Sequence, residues 1–203
     1  MAGGASGTLV PPFGYGVMPE TKTREKRMDY DFVTDAATAA RQLGIDLTAE
    51  ERATLERYPF LANGYLLGRI DPALGRRDPV WKQIFPDPAE LADVDSSFDP
   101  LAEEEQMPCP RLIHRFTDRA LLLTTGRCAL RCRFCFRKRT WKSGSALADL
   151  TQEELETAAA YLESHPEVRV VLLSGGDPLM LEMDALRRIL DRLVGYTLSP
   201  LLW

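Results

Sequence analysis

Cysteine and histidine are scarce in this chain: four cysteines and two histidines among 203 residues. Positive charge is also in short supply. A formal net charge of -5 leaves no surplus of Lys and Arg to neutralise a phosphate backbone, which argues against a general nucleic-acid binder. No apolar run approaches the length of a membrane span. The opening MAGGASGTLVPPFGYGVMPE lacks the basic start and unbroken apolar stretch of a secretory signal, so a cytoplasmic, reducing location is expected. In that setting, cysteines close together point to metal or redox chemistry more often than to disulfides. With 45% hydrophobic and 27% charged residues, the chain has the composition of a globular protein with a real core.

Three of the four cysteines fall within eight positions, in GRCALRCRFCFRKR (residues 126–139). The surrounding pattern divides the chain near residue 115. Residues 1–28, rich in Gly and Pro, read as a disordered lead-in. Residues 29–115 read as helices and connectors. One helical pattern starts near Asp29 with Phe32, Ala36, Ala39, Ala40 and Leu43 on one face and Gly44 as its stop. A second starts at Thr48 with Glu51 in a capping box, and a short one spans Trp81 to Phe85 among Asp-Pro turns at Asp71, Asp78, Asp87 and Asp99.

Residues 116–203 change character. ALLLTT (120–125) and VRVVLLSGG (168–176) have the continuous apolar runs of buried parallel strands. Between them, TQEELETAAAYLESH is an amphipathic helix with Thr151 and Glu154 as its capping box, and EMDALRRILDRLVG is another, with Leu186, Ile189, Leu190 and Leu193 on one face. Strand, loop, helix, strand, helix is the beginning of a parallel α/β fold. The cysteine loop and SGGDP would then open at the same C-terminal sheet edge, where such folds place their chemistry. The closing YTLSPLLW, interrupted by Pro200, does not read as a third strand.

Three thiolates can hold three irons of a 4Fe-4S cluster and leave the fourth open to a small ligand, whereas a structural zinc needs a fourth protein ligand. Cys109 or His114 could supply one, which keeps zinc as the alternative. Arg131, Arg133, Lys138 and Arg139 read as a solvated basic loop.

Cys128-Ala-Leu-Arg-Cys132-Arg-Phe-Cys135 resembles the signature of the radical S-adenosylmethionine (SAM) superfamily. DPLAEEEQMPCPRLIHRFTDRALLLTTGRCALRCRFCFRKR, followed by VVLLSGGDPLM and preceded by DPVWKQIFPDPAEL, resembles the lysine 2,3-aminomutase family within it. That resemblance implies the start of a partial (β/α)6 barrel after a mainly helical N-terminal region. It also implies a 4Fe-4S cluster on Cys128, Cys132 and Cys135, and SAM held near Phe134, Ser174, Gly175, Gly176 and Asp177. Pyridoxal 5'-phosphate (PLP) would have its phosphate at Arg119 with Arg115 assisting, and Arg137 would grip the substrate carboxylate. Phe116 stands where lysine-acting relatives can carry tyrosine, so a hydroxyl contact to PLP is missing.

The implied activity is migration of an amino group on an amino acid or a protein lysine, with electrons from a flavodoxin or ferredoxin, no membrane or nucleic-acid partner, and homo-oligomerisation left open. Radical SAM chemistry without PLP, or a non-catalytic zinc- or cluster-binding piece, are the other readings. The family's PLP lysine has no counterpart in this chain, and the barrel is expected to be cut short, leaving the chain inactive by itself.

Overall fold

The structure, a computed structural model, describes residues 31–93, 97–141 and 147–200. The lead-in expected at residues 1–28 lies outside the described residues.

Short helices with legible ends make up the N-terminal part. Strand β1 (Phe32–Val33) pairs antiparallel with β2 (Ala62–Asn63). Helix α1 (Ala36–Gln42) starts where Asp35 accepts the Ala37 and Thr38 N–H groups at 3.0 Å. The helix expected from Asp29 is therefore corrected. Phe32 lies in β1 and is exposed, because the Asp35 cap fixes the helix start at Ala36. The capping box at Thr48 and Glu51 forms and opens α2 (Ala49–Arg57). Asn63 caps α3 (Gly64–Leu67). Asp78 caps α4 (Pro79–Ile84) through the Val80 and Trp81 N–H groups, and α5 (Ala89–Ala92) follows. These elements enclose a core in which Trp81 stacks on Phe85, ring centroids 3.7 Å apart, among Ala39, Ala40, Phe60 and Ile84.

A four-stranded sheet follows, in the order β3 (Leu112–Phe116), β4 (Arg119–Thr125), β5 (Val170–Gly175), β6 (Thr197–Pro200). β3 is antiparallel to β4; the other two pairings are parallel. Both expected strands are present, and two unforeseen ones flank them. β3 was hidden by its polar middle, His114-Arg115. The rejection of a strand in YTLSPLLW is corrected: Thr197 to Leu198 to Ser199 to Pro200 pair with Val170 to Leu173. Pro200 is the last residue of an edge strand, a place where a missing N–H is tolerated.

Helices α6 (Gln152–Glu163), opened by its Thr151 and Glu154 capping box, and α7 (Met183–Arg192) supply the layer over one sheet face. Leu155, Ala158, Ala159 and Leu162 of α6 and Ile189 of α7 pack on Ala120, Leu122, Val171 and Leu173. Strand alternation puts Arg119, Leu121 and Leu123 of β4, with Val170, Leu172 and Ser174 of β5, on the opposite face. This mixed α/β arrangement is consistent with a radical SAM fold. No helix among the described residues is long and apolar enough to cross a membrane.

Leu122 has no exposed surface and sits at the centre of the helix-covered face. Leu122→Ala is expected to lower stability by roughly 2–5 kcal/mol, the usual cost of such a cavity. Chemical denaturation should show this as a lower midpoint with an unchanged slope.

Candidate functional site

The C-terminal ends of β4 and β5 meet in a close backbone approach. The Gly176 N–H donates to the Thr125 carbonyl, and the Asp177 N–H donates to the Arg127 carbonyl at 2.7 Å. Gly175 has φ of +114°, in the left-handed region, and a Cβ there would strike the Thr125 oxygen. At Gly176 a Cβ would strike the Arg127 oxygen. The glycine pair thus brings a bare backbone edge against the segment that leads into Cys128. Asp177 accepts the Leu179 N–H at 3.0 Å and caps the turn at Pro178–Met180.

The cysteine loop is gripped from below by the N-terminal part, which its sequence gave no reason to expect. The Arg131 N–H donates to the Leu61 carbonyl at 2.8 Å and the Arg133 N–H to the Gln83 carbonyl at 2.7 Å. Asn63 Nδ2 donates to the Ala129 carbonyl at 3.3 Å, and Leu130 packs against the core of α1 and α4. Cys128, Cys132 and Cys135 are all half-buried free thiols. Burial pushes the Cys128 thiol up to about 11, with the charges of Cys135, Asp177 and Cys132 adding to it. Cys132 and Cys135 are also raised, again chiefly by burial.

The three thiols are near enough to act on one another's ionisation. Among the described residues, no three His, Cys, Asp or Glu side chains stand in a ready-made metal arrangement. A metal or cluster would draw these thiols together while displacing their protons. The donor set suits an iron–sulfur cluster with one open position. Cys109 packs instead against the core under α6, and His114 Nδ1 is occupied by the Tyr161 hydroxyl at 2.9 Å.

The solvated basic loop is corrected. Arg133 is 5% exposed and forms a forked pair with Glu90, both bonds 2.8 Å, while Lys138 also binds Glu90. Arg139 lies among Asp99, Glu103 and Glu104, and Arg131 stacks over Trp141. Arg133, Lys138 and Arg139 are drawn inward by carboxylates on α5 and on residues 99–104, and Arg131 by the Trp141 ring and carbonyl.

Arg137 is buried too. Its Nε and Nη2 hold Glu103 at 2.9 and 2.6 Å, and its Nη1 donates to Ser174 Oγ at 3.2 Å and the Gly175 carbonyl at 3.0 Å. Glu103 and Glu90 were missed at the level of sequence. For Glu103 the available signal was the acidic run 103–105 set against the basic run 131–139.

Phe134, by contrast, is 68% exposed beside Cys135. Arg115 and Arg119 are placed together, flanking the Phe116 ring at 5.8 and 5.9 Å, with Arg119 also paired to Asp118. They lie at the N-terminal end of β4. Arg119 and Ser174 share one sheet face, and the four-residue offset between Val170 and Ser174 separates them by about 13 Å along the strands.

A raised thiol pKa means a neutral thiol at pH 8, so metal uptake must expel protons and strengthens as pH rises. For Cys128 in the metal-free protein, the thiolate is roughly a hundredfold scarcer than for an ordinary thiol, offset about tenfold by its greater nucleophilicity. Iodoacetamide at pH 8 should therefore alkylate Cys128 roughly tenfold more slowly than a free cysteine, as read by peptide mass spectrometry. An ordinary rate would contradict the buried placement.

Residues 122–200 match the sequence pattern of the radical SAM superfamily. The chain is 41% identical over 133 residues to the L-lysine 2,3-aminomutase of Clostridium subterminale, covering 64% of this chain and 30% of that protein. To the L-lysine 2,3-aminomutase of Fusobacterium nucleatum it is 37% identical over 154 residues, 73% of this chain and 36% of that one. To that of Escherichia coli it is 33% identical over 169 residues, 80% of this chain and 47% of that one. The chain thus spans less than half the length of each of these relatives. The matched stretch 122–200 contains Cys128, Cys132 and Cys135 and the Gly175-Gly176 edge, so the part of this chain that is similar to the radical SAM superfamily is the part that builds the candidate site.

Proposed function

We propose that this chain provides the cluster- and SAM-binding part of a radical SAM aminomutase acting on an amino acid or a protein lysine. The observation that carries this reading is the juxtaposition of Cys128, at the head of the three-cysteine loop, with the bare Gly175-Gly176 edge. Cys128, Cys132 and Cys135 would hold a 4Fe-4S cluster with one iron open. Ser174, Gly175, Gly176 and Asp177 would face SAM, with exposed Phe134 against its adenine. When bound, the cluster and SAM supply a radical that takes hydrogen from the substrate, and PLP supports the migration of nitrogen to the neighbouring carbon.

The chain's own residues supply placement. Arg119 and Arg115 offer positive charge to a PLP phosphate at the far end of the same sheet face, about 13 Å from Ser174 along the strands. Phe116 between them offers a ring and no hydroxyl. Substrate would then lie between two cofactors at opposite ends of β4. Arg137 is assigned to the substrate carboxylate. Four of its five N–H groups already have partners, so it would give a single remaining Nη2 hydrogen rather than a paired face. No residue of this chain is assigned as the PLP lysine. The free cysteines suit a reducing cytoplasm, with flavodoxin or ferredoxin as electron donor.

Anaerobic reconstitution with iron and sulfide is expected to load about four irons per chain and to give charge-transfer absorption that bleaches on reduction. Cys128→Ala, Cys132→Ala or Cys135→Ala should abolish it, and Cys109→Ala should not. Uptake of zinc alone, or equal loss with Cys109→Ala, would overturn the assignment.

A further inference from the structure

We propose that Glu103 is a positioning residue of this site. It fixes the Arg137 guanidinium so that the segment after Cys135 and the Ser174-Gly175 end of β5 keep one spacing, and SAM meets both at once. The inference rests on the SAM reading above and deepens it. Three chain segments that are distant in sequence meet on one planar group. Glu103 takes Nε and Nη2 in a fork, while Nη1 reaches Ser174 Oγ at 3.2 Å and the Gly175 carbonyl at 3.0 Å. A guanidinium is rigid and planar, so fixing two of its nitrogens on a carboxylate also fixes where the third points. A lysine could not transmit orientation in this way.

Burial makes the arrangement costly unless it is complete. Glu103 is 4% and Arg137 5% exposed. A buried ion pair is seldom more stabilising than well-packed apolar side chains of the same volume, so its contribution is better sought in position than in stability. Glu103 is itself held from a second side, since its Oε2 accepts from Arg139 Nη2 at 3.2 Å. The chain of contacts then ends at the edge of the candidate site. Gly175, whose carbonyl Arg137 holds, precedes Gly176, whose N–H is tied to the end of β4. Removing the Glu103 charge frees the guanidinium to turn, and the cluster loop and the β5 edge lose their common anchor.

The test uses the full 203-residue chain, reconstituted and reduced, with SAM titrated against the cluster's electron paramagnetic resonance spectrum. In the unaltered protein SAM is expected to change that spectrum; no change there would remove the SAM reading and this inference with it. Glu103→Gln should keep its iron content and its SAM-free spectrum, but need roughly tenfold or more SAM for the half-maximal change, the usual cost of losing an outer partner of a ligand set. Glu104→Gln, whose carboxylate is largely exposed and pairs with Arg139, should behave as the unaltered protein.

An unaltered SAM response in cluster-loaded Glu103→Gln, beside a normal response of the parent, would overturn the positioning role alone. Should Glu103→Gln fail to load a cluster, Glu103→Asp keeps the charge and withdraws the fork, and several-fold weaker SAM binding with full iron content supports the proposal. A parent-like SAM response of that variant overturns it. Loss of folding in both variants, seen by circular dichroism, makes Glu103 a residue of stability only and likewise overturns it.

Discussion

The parallel ladder between β4 and β5, and the way it stops, governs the rest of this structure. The two strands run in register from Arg119 beside Val170 to Leu123 beside Ser174, then shift so that Thr125 faces Gly175. Beyond that shift the chain continues as a close approach of backbones, Gly176 to Thr125 and Asp177 to Arg127. At Gly175 and Gly176 a side chain would strike the Thr125 and Arg127 carbonyl oxygens, so the strand end there is glycine. The approach delivers Cys128 and the Gly-Gly edge to one place, and a parallel ladder is the pairing that can do so, because both strands end on the same side of the sheet.

What holds the loop beyond that edge is mainly charge complementarity directed inward. Five cations follow one another from Arg131 to Arg139, and burying them unpaired would be prohibitive. Glu90 takes Arg133 and Lys138, and Glu103 takes Arg137 and Arg139. For Glu90, burial alone would raise the carboxyl, but the bonds from Arg133 and Lys138 outweigh it and hold the group below its ordinary range. The N-terminal part thereby acts as a cradle for the loop, through backbone acceptors at Leu61 and Gln83 and an apolar pocket for Leu130. Its short helices are less a separate unit than the underside of the site.

Much of this was legible in the sequence wherever the signal is local. Both capping boxes, the apolar strands at 120–125 and 168–176, and the Gly44 stop depend on neighbours a few residues apart. The thiol spacing points to a metal or cluster by count, with zinc kept as the alternative to 4Fe-4S. The misreadings have a common origin in contacts that are distant along the chain. β3 reads as connector because its hydrogen bonds lie in β4, and Pro200 fits β6 because it stands at the edge of the described sheet. Arg133, Lys138 and Arg139 read as solvated because their carboxylates lie 35 to 48 residues away. Charge runs of opposite sign at residues 103–105 and 131–139 were the one hint that these cations turn inward.

The central claim is that three thiols of one loop hold a cluster whose remaining iron is left open at the Gly175-Gly176 edge. Mössbauer spectroscopy of iron-57 reconstituted protein tests this most directly, with and without SAM. One iron in about four should be distinct from the rest and should shift towards higher coordination when SAM is added, with the other three unmoved. Four equivalent irons that do not respond to SAM would mean a fourth protein ligand closes the cluster, and would contradict the account.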